Sequence, residues 1–167
     1  IVHGYRASDE EMREHVVFEN VDLVEDLAQK THGVIAYLGH MGNWEWIADL
    51  NKRFVDRSMV EYNIYRQLKN PRSNEMMLAL RGKRGGECIE KNHLLRKLVS
   101  LRKAEHNFVL GMLSDQKPSK RSTYAWTQFL NQETAFLNGS EVLAKKFGFS
   151  AVYAHILSPK RGYYTVR

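Results

Sequence analysis

A glycine-flanked histidine, His40, stands five positions ahead of a carboxylate, Glu45, in the run Gly39-His40-Met41-Gly42-Asn43-Trp44-Glu45. Histidine is the side chain whose ordinary pKa lets it take and return a proton near neutrality. A carboxylate bound to its far nitrogen fixes the tautomer and stabilises the imidazolium that forms. A His-x4-Glu pair of this kind can activate a hydroxyl or an amine for attack on an acyl group. The same two residues also suit a structural role, with His40 capping a backbone carbonyl and Glu45 a solvated acid in a first helical turn. A metal centre fits poorly, because ligands on one helix favour i, i+4 spacing and neither histidine nor cysteine lies near enough to complete a set.

The flanking sequence supplies elements that would position the pair. Val34 to Leu38 is a short apolar run with the character of a buried strand, and glycines at 39 and 42 allow a sharp turn at its carboxyl end. Ligand sites of open α/β sheets lie at that edge. Asn43 is a good N-cap residue for a helix over 43–54, which would put Glu45 in the first turn, facing back to His40. Around this centre the patterning alternates. Ser8 and Glu11 form a capping box for a first helix with Met12, Val16 and Val17 on its apolar face, and Asn20 caps a second. Strands follow near 59–65, 88–89, 108–113 and 151–157, and helices from Pro71, over 92–103 and over 141–147, with a last strand over 163–167 antiparallel to its neighbour. Strands interleaved with helices predict an α/β fold with a mostly parallel sheet flanked by helices.

Three expected strand ends then fall on one edge, at His40, at Tyr65-Arg66 and at Asp115-Gln116. Arg66 can bind a phosphate or simply pair with a neighbouring acid. Asp115 can hold an arginine or shape an oxyanion region, or cap the turn before Pro118. Gly139 and Ser140 open a helix whose first amides either face an anion or are merely capped. The single cysteine, Cys88, excludes an internal disulfide and has the pattern of a small buried residue rather than a nucleophile.

Several of these blocks, in this order, resemble the bacterial lysophospholipid and lipid A biosynthesis acyltransferases. His40-Met41-Gly42-Asn43-Trp44-Glu45 is similar to that family's His-x4-Asp/Glu block. Tyr65-Arg66, Arg81 through Gly86, Gly111 through Gln116, and Phe129-Leu130-Asn131 followed by Gly139 match further blocks, so the resemblance runs from about Ser8 to the end. The stretch from Lys117 through Thr127 departs from it, being longer and more basic than the family's compact turn. The resemblance implies a glycerolipid-acyltransferase-like fold without a cofactor. It implies transfer of a fatty acyl chain from acyl carrier protein or acyl-CoA to a hydroxyl or amine of a membrane lipid acceptor, with His40 as base and Glu45 as its orienting acid. Asn43, Tyr65, Arg66, Arg81, Arg84, Asp115, Gln116 and Gly139 would contact substrate, with Arg66, Arg84 or backbone amides stabilising the oxyanion. It further implies the cytoplasmic face of the bacterial inner membrane. Two alternatives stay open at this level: a lipid-binding domain without activity, and a thioesterase-like hydrolase using water at the same dyad.

The 167 residues suit one acyltransferase domain over 1–167. The chain opens on Ile-Val-His-Gly and stops within an expected strand, so truncation at both ends is expected, with the family's amino-terminal membrane anchor missing. With 25 Lys and Arg against 19 Asp and Glu, the net charge is +6 and the pI about 9.4. Such a balance suits an anionic lipid surface or an acidic carrier protein. The cations gather at 81–84, 96–103 and at Lys117 with Lys120 and Arg121. No zinc-finger spacing, RNP-like strand or Walker loop accompanies them, so no nucleic-acid partner is expected. No apolar run approaches the roughly 20 residues that span a bilayer.

Overall fold

The computed structural model describes residues 6–119 and 124–167; Lys120 and Arg121 of the third basic cluster lie outside them. In chain order the elements are α1 (Asp9–His15), β1 (Val16–Phe18), α2 (Val21–Thr31), β2 (Val34–Leu38), a 3-10 helix (Trp44–Lys52), β3 (Val60–Tyr65), α3 (Pro71–Gly82) and β4 (Glu87–Glu90). A 3-10 turn (Lys91–His93) leads into α4 (Leu94–Lys103), followed by β5 (Phe108–Leu113), β6 (Tyr124–Phe129), β7 (Gln132–Leu137), α5 (Gly139–Phe147), β8 (Ser150–Tyr153), β9 (Ile156–Lys160) and β10 (Tyr163–Val166).

Five strands form one sheet in the order β4-β3-β5-β2-β8, and every pairing in it is parallel, as the alternating pattern predicts. A parallel sheet covered on both faces needs apolar side chains on both, which explains the unbroken run in β2. On one face Ile35, Phe108 and Leu110 pack under Leu94, Leu98 and Leu101 of α4 and Leu143 and Ala144 of α5. On the other, Val34, Ala36 and Val109 pack against Ala28 of α2 and Phe54. The order places β5 between β3 and β2, so the carboxyl ends of these three strands are neighbours.

The helix expected over 43–54 is instead a 3-10 helix over Trp44–Lys52, and Asn43, at φ −100° and ψ 58°, gives it no side-chain cap. With three residues per turn, side chains three apart eclipse one another. Trp44, Ile47 and Leu50 therefore stand in one row, and that row walls two cavities. The strand expected over 151–157 is two strands. After Tyr153 the chain leaves the parallel sheet, and the His155 amide and carbonyl pair with the Arg167 carbonyl and amide at 2.7 and 3.0 Å. That turn starts a separate three-stranded sheet, β1-β10-β9, in which β10 is antiparallel to β9 as expected. Val16 and Val17 belong to it, not to α1: they pair parallel with Tyr164 and Thr165, near the far end of the chain. Ser8 does cap α1, accepting from the Glu11 amide at 3.1 Å.

The hairpin β6–β7 forms a two-stranded sheet of its own. Its turn residues, Leu130 (φ 50°) and Asn131 (φ 61°), are both left-handed, as a two-residue hairpin turn that follows the strand twist requires.

Candidate active site

His40 follows β2 at the carboxyl edge of the sheet, and its partner is the residue just beyond β5. The ring Nδ1 lies 2.7 Å from Asp115 Oδ1, and the His40 backbone amide donates to Asp115 Oδ2 at 2.7 Å. One carboxylate thus fixes both the ring and the loop that carries it. Partial burial alone would raise the Asp115 pKa, but the hydrogen bonds from the His40 ring and amide and the charge of the imidazolium outweigh it and hold the carboxyl below its usual range. With Nδ1–H directed to the carboxylate, Nε2 is the basic nitrogen, and the Gln116 side-chain amide stands 3.4 Å from it.

Glu45 does not reach the imidazole. Arg81, on α3, takes both of its oxygens, from Nε at 2.8 Å and from Nη2 at 2.7 Å, in a pair whose side chains are only 14% and 10% exposed. The reason is the 3-10 geometry, which points Glu45 toward α3 rather than back over its own turn. The Arg81 guanidinium lies 5.4 Å from the centre of the Trp44 ring, and that ring meets His40 edge-on at 5.3 Å. Glu45 therefore touches the base only through Arg81 and Trp44. The hydrogen bonds that Arg81 donates to the Glu45 carboxylate hold its pKa above the usual value.

Two cavities meet here. A cleft of about 280 Å³ is lined by His40, Tyr65, Arg66 and Arg81 among others. A chamber of about 560 Å³, mostly apolar, runs from Trp44 and Arg81 between Leu94 and Leu95 of α4 and Val142 and Leu143 of α5. Trp44, Ile64, Arg81 and Leu113 line both, so the cleft holding the base adjoins an apolar space. Gly139, at the start of α5, lines the chamber, and Asn138 provides no side-chain cap there. Buried Ser140 shares a 3.0 Å hydrogen bond with Ser114 and ties the start of that helix to the end of β5.

The remaining candidates separate. Tyr65 and exposed Arg66 lie at the cleft, and among the described residues Arg66 joins no ion pair. Asn43 lies between the His40 turn and the 3-10 helix, its carbonyl accepting from the Trp46 amide at 2.9 Å. Arg84 lines neither cavity: it is buried against Asp9 at 2.9 Å, Asp49 at 3.7 Å and the Ala7 carbonyl at 3.0 Å. That placement assigns it to fastening α1 to the body rather than to an oxyanion. Cys88, in β4, is half-buried, and burial pushes its thiol pKa up. Trp44 was not singled out from sequence, although its contact with both His40 and Arg81 makes it central; an aromatic beside a candidate base was the available signal.

A model of the bacterial lipid A biosynthesis acyltransferases matches residues 5–167. The chain belongs to that family. No curated protein matches it. Membership makes the protein an acyltransferase, and the parallel sheet with helices on both faces is consistent with the α/β fold expected of one. Among the described residues, no helix is long and apolar enough to cross a membrane.

Proposed function

We propose that this acyltransferase moves a fatty acyl chain from a thioester to a hydroxyl or amine of a lipid acceptor, a lipid A precursor or a lysophospholipid, with His40 as general base. The observation that carries the reading is the His40–Asp115 pair opening on a cleft continuous with an apolar chamber. An apolar chamber of this size suits a fatty chain, whose burial is worth about 0.8 kcal/mol per methylene. The thioester carbonyl would then lie near Trp44 and Arg81, where the two spaces meet.

In this scheme Nε2 of His40 takes the proton of the acceptor hydroxyl as its oxygen attacks the thioester carbon. Asp115 holds Nδ1–H and stabilises the imidazolium. The carbon–oxygen bond forms, the tetrahedral intermediate collapses, the carbon–sulfur bond breaks, and His40 returns the proton to the departing thiolate. The oxyanion requires fixed donors, each typically worth about 3 to 4 kcal/mol. Arg66 at the rim and the first amides of α5 are the candidates that face these spaces. No covalent acyl-enzyme is needed. Glu45 acts as a positioning residue, through Arg81 and Trp44. The donor is acyl carrier protein or acyl-CoA, and the reaction belongs at the cytoplasmic face of the inner membrane.

The test is mass spectrometry of lipids after incubating the protein, beside His40→Ala, with loaded acyl carrier protein or acyl-CoA and a bacterial lipid extract. A new acylated lipid made only by the unmutated protein is the expected result. Free fatty acid alone would instead mark a hydrolase, and identical products from both proteins would remove His40 from the chemistry.

A further inference from the structure

The hairpin β6–β7 carries large apolar side chains that belong to none of the cores formed by the described residues. Trp126 is 64% exposed, Phe129 53% and Leu130 79%. Two ring contacts join these aromatics within the hairpin: Tyr124 meets Trp126 edge-on at 6.1 Å on one face, and Phe129 meets Phe136 at 5.6 Å on the other. Leu130 occupies a left-handed turn position, where a β-unbranched apolar residue gains nothing locally and Asn or Gly is preferred. An apolar tip with aromatic flanks is the side-chain set of a segment that sits at a lipid–water interface.

The base of the hairpin lies at the active site. Leu137, the last residue of β7 and the partner of Tyr124, lines the acyl chamber, and α5 begins two residues later. Five steps along the ladder separate that base from Phe129, about 17 Å at the usual strand rise. Further exposed apolar residues belong to the same openings: Leu95 and Val142 at the chamber and Leu68 at the cleft. Cations stand among them, Lys91 and Lys146 at the chamber and Arg66 at the cleft. The chain as a whole is at +6. Apolar and basic groups gathered around one pair of openings complement an anionic lipid surface, which offers acyl chains beneath a layer of negative charge.

We propose that the β6–β7 hairpin docks the protein on an anionic lipid surface, its Phe129–Leu130 tip entering the headgroup–acyl boundary while its base stays at the acyl chamber. This rests on the reading above that the acceptor is a lipid. The hairpin would hold the cleft at the surface from which that acceptor is drawn.

The experiment is cosedimentation of the protein with phosphatidylcholine vesicles, with and without phosphatidylglycerol, for the unmutated chain, the double variant Phe129→Asp/Leu130→Asp, and His40→Ala. Both changed hairpin residues are exposed, and circular dichroism checks that the fold is kept. The expected result is binding to the anionic vesicles, weakened as salt rises, at least tenfold weaker for the double variant and unchanged for His40→Ala. Equal binding by the double variant and the unmutated chain would overturn the proposal, as would failure of the unmutated chain to bind anionic vesicles. Loss of self-association in the double variant, with vesicle binding intact, would assign the tip to a second copy of the chain and overturn it too. Because His40→Ala abolishes the proposed chemistry without touching the hairpin, failure of docking and failure of the catalytic reading give different patterns.

Discussion

The Asp115 carboxylate binds His40 twice, through Oδ1 to ring Nδ1 and through Oδ2 to the backbone amide, each at 2.7 Å. It sets the tautomer and the position of the base together. Asp115→Asn keeps the shape but replaces one acceptor by a donor, which favours the tautomer with its proton on Nε2. Acyl transfer should fall by about 10²- to 10⁴-fold, mainly in kcat, by the precedent of neutralised triad acids. The pair also has a pH sign. The Asp115 pKa is depressed in the folded protein, so its contribution to stability is present above the unfolded carboxylate pKa and is lost as pH falls through the folded value. Steady-state rates and acid unfolding of the variant check both.

Glu45 and Arg81 form the other charged pair at the site, and they are buried rather than reactive. Removing one partner leaves the other charge in a poorly solvated position, a loss of about 3 to 5 kcal/mol in comparable pairs. Glu45→Gln and Arg81→Met should each show a loss of that order in urea unfolding. A double-mutant cycle should couple Glu45 to Arg81 strongly. Transfer activity should drop through misplacement of Trp44, while the acid limb of the pH–rate profile stays where it is. A shift of that limb in Glu45→Gln would restore Glu45 as the direct partner of His40.

The parallel sheet and the grouping of His40, Arg66 and Asp115 at its carboxyl edge were legible in the sequence because both rest on local signals: apolar runs, their alternation with helices, and polar residues at strand ends. Which carboxylate holds His40 was not. Glu45 is five residues away in sequence and Asp115 is seventy-five, and the choice depends on β5 lying beside β2, a non-local fact. The 3-10 form of Trp44–Lys52 was equally hidden, since its row of Trp44, Ile47 and Leu50 gains from packing and not from propensity. β1 and the β8–β9 break are set by pairing with the end of the chain. The fate of Arg84 was concealed in the same way, by the approach of α1.

Glu61 in β3 gives a pH test independent of the chemistry. It is buried under the 3-10 helix, where Oε2 accepts from Asn51 at 3.2 Å and from Asn63 at 2.7 Å, and Oε1 has no partner among the described residues. Burial raises its pKa from 4.5 to about 8, against the opposing pull of those two amides. The folded protein therefore keeps a proton that the unfolded chain releases above 4.5. This contribution to stability is fully present below 4.5, declines as pH rises toward 8, and then levels off; its span is on the order of a few kcal/mol. Glu61→Gln, which is neutral at all pH, should flatten that decline. Urea unfolding of both proteins across pH 4.5 to 8 measures it, and parallel profiles would show that Glu61 is ionised in the folded state.

Gly42 links the active-site turn to the second sheet. It sits at φ +58°, and a Cβ there would lie 2.6 Å from Cε1 of Tyr164 in β10, whose ring packs edge-on to Trp46 at 5.8 Å. Gly42→Ala therefore carries two penalties, the left-handed backbone, about 1 to 2 kcal/mol, and a clash that must displace Tyr164 or the turn, about 1 to 3 kcal/mol. The two can be separated. In Gly42→Ala/Tyr164→Ala the clash is gone and the backbone cost remains, so the double variant should be less destabilised than the sum of its single changes. Activity gives the second readout. Because Gly42 lies two residues from His40 and two from Trp44, a turn that yields should pull the ring off Asp115 and lower transfer at least tenfold. A Tyr164 that yields instead should cost stability while leaving the rate near that of the unmutated enzyme. Unfolding and rate measurements on the three variants decide which side of the contact is stiffer.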